Sequence, residues 1–138
     1  RFFTKGENVK YYGYGPYESY SDKHLCTYLD EFNTTVSDMY EPYIKPQENG
    51  SHFGTRYVET ENIRVSSDTP FSFSALHYTQ EELTEKKHNF ELEKCDDTVL
   101  CIDYKQNGIG QNSCGPLTQE EYRFDESEFE FKIRIEIK

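Results

Sequence analysis

The sequence predicts an all-β fold, and three features of the chain support this. From Phe129 to Ile137, large apolar residues alternate with charged ones, which is the period of a half-buried strand. Phe71, Phe73 and Ala75 alternate with serines in the same way. Clusters of glycine, proline, serine and asparagine separate such segments and favour turns. At 138 residues the chain fits a single domain, expected over residues 1–138.

The first half of the chain is predicted to consist of strands joined by turns. Pro42 and Pro46 exclude a helix in the stretch that contains them, because proline lacks a backbone donor. The evidence for a strand between Tyr17 and Tyr28 is weak. In order, we expect an edge or entry strand within residues 1–12, a turn at 13–16, extended chain at 32–43, a loop at 46–54, a strand at 56–65 and a turn at 66–70.

The second half is predicted to contain one short helix among strands. Thr79 followed by Glu82 is a capping-box pattern, so we expect a helix near residues 80–87. Before it, the strand that starts at Phe71 should be half buried. After it, we expect a β-hairpin formed by residues 90–94 and 98–104, and a last strand at 129–137 with one buried face.

The stretch from Asn107 to Pro116 is predicted to be a structured loop. It contains three glycines and a proline in ten residues, which disfavours both helix and strand interiors. Strand-like segments flank it on both sides. Loops on a rigid sheet commonly carry function, but an ordinary irregular turn is the alternative reading of this composition.

Three blocks of sequence resemble, in the same order, the C-terminal region of bacterial β-galactosidases of glycoside hydrolase family two. The first is Gly13–Pro16 with Glu18, Tyr20 and Asp22. The second runs from Ser37 to Arg56, and the third is Gly108-Ile109-Gly110 with Asn112, Ser113, Gly115 and Pro116. The similarity extends from about Val9 to the end of the chain. It implies a β-sandwich that forms roughly the second half of a galactose-mutarotase-like supersandwich.

The resemblance also implies a function, namely a non-catalytic C-terminal domain of a β-galactosidase that hydrolyses β-galactosides such as lactose. Its partner would be the rest of the enzyme, as one polypeptide or as a large subunit. We expect no cofactor in this chain, because the family's Mg²⁺ and Na⁺ ions would belong to the missing domains, and we expect a cytoplasmic location. The alternative is a free-standing carbohydrate-binding or mutarotase-like module.

Composition and charge restrict the partners. The net charge of −11 argues against nucleic acid and anionic membranes as partners, since both need clustered cations. Leu, Ile, Val and Phe make up only about a fifth of the chain, so we expect some apolar surface to pack against further polypeptide. The four cysteines lack metal-type spacing. Two disulfides are formally possible, but free thiols fit the family better.

The sequence identifies no catalytic residue. Retaining glycosidases use two carboxylates about 5 Å apart, and the family carries both in a barrel domain that this chain does not contain. With 26 acidic residues here, a chance pairing of Asp with Glu carries no information. The four histidines, at 24, 52, 77 and 88, show no metal-ligand spacing. We therefore expect neither a catalytic dyad nor a metal site.

The loop provides the candidate substrate-binding residues, Asn112, Ser113 and Cys114. Family members commonly have a tryptophan at the position of Cys114, where it stacks on the sugar, and this chain contains no Trp. Either the platform is absent or Tyr104 or Tyr122 replaces it. A nucleophilic Cys114 is disfavoured, because no His or Lys lies within eight residues to lower its pKa. Asn107, Asn112 and Ser113 could bind sugar hydroxyls or hold the loop's own backbone.

The second block offers further polar candidates. Glu48, Asn49 and Arg56 could bind a ligand, or Arg56 and a glutamate could form a buried structural pair. In the first block, Asp22-Lys23 stands where the family more often has Asp-Arg. A bidentate carboxylate contact is therefore less expected there.

Overall fold

A computed structural model describes residues 1–110 and 116–138 and is built around one antiparallel sheet of seven strands. The strand order is β1-β6-β5-β4-β2-β3, and β7 pairs with β5. The all-β prediction is confirmed, and the arrangement is consistent with a β-sandwich. The strands are β1 Phe2–Thr4, β2 Asn8–Gly15, β3 Tyr28–Thr35, β4 His52–Glu59, β5 Ile63–Leu76, β6 Thr98–Asp103 and β7 Arg134–Ile137.

The α-helix among the described residues is α1, Gln80–Glu85, close to the predicted 80–87. Thr79 is its N-cap, and the Thr79 hydroxyl accepts a hydrogen bond from the Glu82 backbone N–H at 3.1 Å. Leu83 on α1 is buried and joins the core. The described part of the chain also contains 3₁₀ turns at Asn89–Glu91 and Glu120–Tyr122.

The core lies against the central strands. In β2 the buried and partly exposed residues alternate, as expected for a strand with one covered face. Residues 71–76 of β5 are buried on both faces, so the predicted half-buried strand is wrong there. Ser72 and Ser74, on the face opposite Phe71 and Phe73, are only 5% and 2% exposed. The buried core cluster comprises Val9, Tyr11, Val36, Met39, Val58, Ile63, Val65, Phe71, Phe73, Ala75, Leu76, Leu83 and Leu100.

The predicted turn at 66–70 is wrong, since these residues lie inside the 14-residue strand β5. Ser66 is the last β5 residue paired with β7, and Ser72 is the first paired with β6. Pro70 falls in the gap between these two neighbours, where β5 has no partner along that edge. Because no ladder bond is needed at that point, a proline is tolerated inside the strand.

The predicted hairpin of residues 90–94 and 98–104 is also wrong. Asn89–Glu91 forms a 3₁₀ turn, in which the Glu91 carboxylate accepts from the Lys87 and His88 backbone N–H groups at 2.9 Å each. Strand β6 pairs instead with β1 and β5. Likewise, the extended chain expected at 32–43 ends at Thr35, where a turn follows that is closed by bonds to the Thr35 carbonyl.

The last strand is shorter and more exposed than predicted. β7 covers only Arg134–Ile137 of the expected 129–137, and all four residues are exposed. Phe131 packs on the core, but Ile133, Ile135 and Ile137 remain open to solvent. The described residues therefore leave uncovered the apolar face that the alternation assigns to the interior.

Candidate functional site

The candidate site lies at the end of β6, where the chain enters the predicted loop. The structure describes Asn107–Gly110 and Pro116 of this loop. The predicted substrate-binding residues Asn112, Ser113 and Cys114 lie outside the described residues, so their assignment stays a prediction.

Asp22 holds the first half of the loop through both carboxylate oxygens. Oδ1 accepts a hydrogen bond from the Ile109 backbone N–H and Oδ2 accepts one from Gly110, each at 3.0 Å. A carboxylate that receives two backbone donors makes strong, charge-assisted bonds. Gly108 is required at this approach, because a Cβ atom there would overlap the Asp22 carboxylate.

The loop is also tied to the chain on its far side. The Gly110 carbonyl accepts from the Thr118 hydroxyl, and the Asn107 side-chain oxygen accepts from the Phe124 backbone N–H. Before the loop, Asp103 accepts from the Gln106 amide at 2.8 Å. Burial raises the pKa of Asp103, and this hydrogen bond opposes the shift.

Asp22 is itself positioned by a small hydrogen-bonded turn. Tyr20 and Lys23 exchange both backbone hydrogen bonds, at 2.9 and 3.0 Å, and Asp22 lies between them. The Lys23 ammonium reaches the Glu18 carboxylate at 2.6 Å. Lys23 therefore makes a single-point contact with Glu18, without the bidentate geometry that an arginine could provide.

Glu18 is the buried centre of this support, with only 4% of its surface exposed. Besides Lys23, its carboxylate accepts from the Tyr43 hydroxyl and from the Gly50 backbone N–H, the latter at 2.9 Å. Burial alone would raise the pKa of Glu18, but the hydrogen bonds from Lys23, Tyr43 and Gly50 outweigh it and lower the pKa. Glu18 therefore stays ionised and fixes the turn that carries Asp22.

Two clefts lie near the point where the loop leaves the sheet, and one of them is lined in part by the loop residues Asn107 and Ile109. One, of about 490 Å³, has both aromatic and polar lining residues, which include Phe53, Tyr122, Phe124, Arg123 and His24. The other, of about 630 Å³, is bounded by Tyr20, Glu48, Asn107 and Phe124 among others. Aromatic rings and polar groups in one cleft suit the C–H faces and hydroxyls of a sugar.

The two tyrosines proposed as replacements for the missing tryptophan occupy different settings. Tyr104 stacks on Phe129 with ring centroids 4.7 Å apart and nearly parallel planes, and its edge meets Phe124. It therefore anchors the C-terminal segment to the sheet. Tyr122 lies half buried on the 3₁₀ turn Glu120–Tyr122, along the wall of the first cleft. Tyr104 also lines the first cleft, but its ring is stacked on Phe129, so Tyr122 is the better placed of the two to face a ligand.

The polar candidates of the second block have structural partners. Asn49 is buried, accepts from the Glu41 backbone N–H at 3.0 Å and donates to the Gln47 carbonyl at 2.8 Å. Arg56 is exposed and donates to the Asp68 carbonyl, so the alternative of a buried Arg56–Glu pair is wrong. Glu48 borders the second cleft and stays a candidate.

The described residues bring together no group of three or more His, Cys, Asp or Glu side chains that could hold a metal ion. Cys26, Cys95 and Cys101 are free thiols. Cys101 is buried, as its strand position predicts, and burial raises its pKa. No helix in the described part of the chain is long and apolar enough to cross a membrane.

Sequence reasoning missed the roles of Glu18 and Asp22, although both belong to the first motif block. Asp22 and Gly110 are 88 residues apart, so no local pattern pairs them. The available signal was a carboxylate-rich block that accompanies a glycine-rich loop. That signal indicates which residues matter but does not show that Asp22 contacts the loop.

Comparison with known proteins gives a consistent result. Residues 2–135 match the family model described as β-galactosidase small chain. The chain is 54% identical over 137 residues to a β-galactosidase of Actinobacillus pleuropneumoniae and 49% identical over 133 residues to one of Staphylococcus xylosus. These matches cover 99% and 94% of this chain. The chain spans only about 13% of the length of either relative.

Proposed function

Because the chain belongs to the β-galactosidase small-chain family, we propose that it is the non-catalytic C-terminal part of a β-galactosidase. The whole enzyme would release terminal non-reducing β-D-galactose from β-galactosides such as lactose. The similarity over nearly the whole chain to proteins named β-galactosidase carries this proposal. The three sequence blocks that resemble glycoside hydrolase family two support placing this enzyme in that family.

In this proposal the chain supplies the loop from Asn107 to Pro116 to the edge of the active site. The loop's attachment supports this role. Asp22 and Thr118 hold Gly110 from two sides, which would fix a short loop in one position. A rigid loop can orient a sugar at low entropic cost. Asn112, Ser113 and Cys114 are the proposed contacts, and Tyr122 is the candidate ring for stacking.

Catalysis itself is assigned to residues outside this chain. Retention at the anomeric carbon needs an acid/base and a nucleophilic carboxylate about 5 Å apart on either side of the scissile bond. Glu18 and Asp22 have structural tasks, since Glu18 is satisfied by its donors and Asp22 by two backbone amides. The family's Mg²⁺ and Na⁺ ions are likewise assigned to the rest of the enzyme, in the cytoplasm.

The proposed partner is the rest of the β-galactosidase, as the same polypeptide or as a large subunit. Two observations support it. The relatives are several times longer than this chain. Apolar side chains of β3 and β7, Leu29, Ile135 and Ile137 among them, are exposed at 46%, 43% and 77%. Packing these strands against further strands would complete the β-sandwich, in the manner of the supersandwich implied by the family.

The test compares the chain alone with the full-length enzyme that contains it. We expect the purified chain to hydrolyse a chromogenic β-galactoside no faster than buffer, while the full-length enzyme turns over. Turnover that survives repurification and scales with the chain's concentration would overturn the non-catalytic assignment. Calorimetry of the chain with galactose and lactose tests the alternative of a free-standing carbohydrate-binding module, which predicts binding without the rest of the enzyme.

A further inference from the structure

We propose that Asp22 is a positioning residue for substrate binding, which sets the location of the loop through the Ile109 and Gly110 backbone amides. This inference rests on the proposed function for its effect on the substrate. The contact between Asp22 and the loop stands independently, on the described geometry. Asp22 does not touch substrate in this proposal and acts only through the loop.

The geometry favours a positioning role over an incidental contact. Each Asp22 oxygen has its own backbone donor at 3.0 Å, so the carboxylate fixes two consecutive peptide units at once. Gly108 completes the fit, because any side chain there would displace the carboxylate. Ile109 and Gly110 cannot move away from Asp22 without breaking these bonds.

The surface turn that carries Asp22 is held in place by several hydrogen bonds. The Tyr20–Lys23 bridge holds its backbone, and Lys23 is tied to Glu18, which is buried. Glu18 in turn binds the Gly50 amide, in the segment that leads into β4. A continuous set of hydrogen bonds therefore connects the sheet to the loop through Asp22.

Three substitutions separate this role from general stability. Asp22→Asn keeps the shape of the side chain but leaves only one oxygen to accept from the backbone N–H groups of Ile109 and Gly110. Gly108→Ala disturbs the same contact from the loop's side. Asp96→Asn makes the same chemical change as Asp22→Asn at an exposed turn beyond the opposite end of β6, and serves as the control.

The first measurement is hydrogen exchange of the Ile109 and Gly110 amides in the chain, followed by NMR. We expect exchange to become about tenfold faster or more in Asp22→Asn and in Gly108→Ala, because amides that lose their acceptor open more often. Asp96→Asn should exchange at the wild-type rate. Unchanged exchange in both test variants would overturn the proposal.

The second measurement is steady-state kinetics of the full-length enzyme with lactose. We expect Asp22→Asn to raise KM about three- to tenfold with kcat changed less than about twofold, since uniform binding is lost. Asp96→Asn should leave both constants unchanged. Faster exchange with an unchanged KM would refute the placement of the loop at the active site and leave the anchor intact. A fall in kcat alone would refute the positioning role.

Discussion

Acidification should destabilise this protein through His52, in a pH range where most carboxylates stay ionised. His52 is 1% exposed, and its ring lies against Tyr11 and Phe73 with centroids 4.6 and 5.3 Å away. Its Nδ1–H donates to the Tyr14 carbonyl at 3.0 Å. Burial lowers the pKa of His52 to about 4, although this carbonyl and the Glu18 carboxylate act in the opposite direction.

The magnitude follows from the difference between the folded and unfolded proton affinities. The unfolded chain takes up a proton on His52 near the ordinary pKa of 6.5, whereas the folded chain resists until about pH 4. Stability from this group is therefore fully present above pH 6.5 and is lost as the pH falls towards 4. At about 1.4 kcal/mol per pH unit, the total loss is roughly 3 kcal/mol, of which about 2 appears between pH 6.5 and 5.

Urea unfolding between pH 7 and pH 5 measures this loss. His52→Asn should lower the free energy of unfolding at pH 7 but flatten its dependence on pH, because the buried imidazole is gone. His88→Asn removes a largely exposed imidazole and should keep the wild-type slope. If His52→Asn retains the wild-type slope, the assignment of the acid sensitivity to His52 is wrong.

Two further predictions concern the loop and the last strand. In the full-length enzyme, Cys114→Trp should lower KM for lactose about two- to tenfold, which corresponds to about 0.5–1.5 kcal/mol for one aromatic contact. Cys26→Trp, at an exposed thiol, is the control. If the two variants have the same kinetics, Cys114 does not face the sugar. Val65 and Ile135 are paired in register, but Val65 is fully buried and Ile135 is 43% exposed. Val65→Asp should therefore lower the free energy of unfolding, measured in urea, by several kcal/mol, and Ile135→Asp should lower it by less than about 1 kcal/mol. Similar losses in the two variants would contradict the exposure of β7.

The contact between Asp22 and the loop shows what sequence motifs predict and what they leave open. The sequence blocks placed Asp22 and Gly110 in the same family signature but gave them no common task. The structure brings them to within a hydrogen bond across 88 residues. Cys114, by contrast, was singled out by its departure from the family pattern, and its role is still a prediction.

Features that depend on a few neighbouring residues can be read directly from the sequence. Thr79 caps α1 because its hydroxyl lies three residues from the amide it accepts from, and Val9 and Tyr11 point inward because a strand alternates. The family assignment also came from the sequence, through short motifs in a fixed order.

The tertiary structure alone decided which segments meet. Pro70 lies inside a strand because two different neighbours end and begin on either side of it, and no local pattern encodes that gap. Ile135 alternates as a buried residue would, yet it is exposed because the described chain provides no surface to cover it. Periodicity and capping are properties of adjacent residues, whereas burial depends on the contact between surfaces that are distant in the sequence.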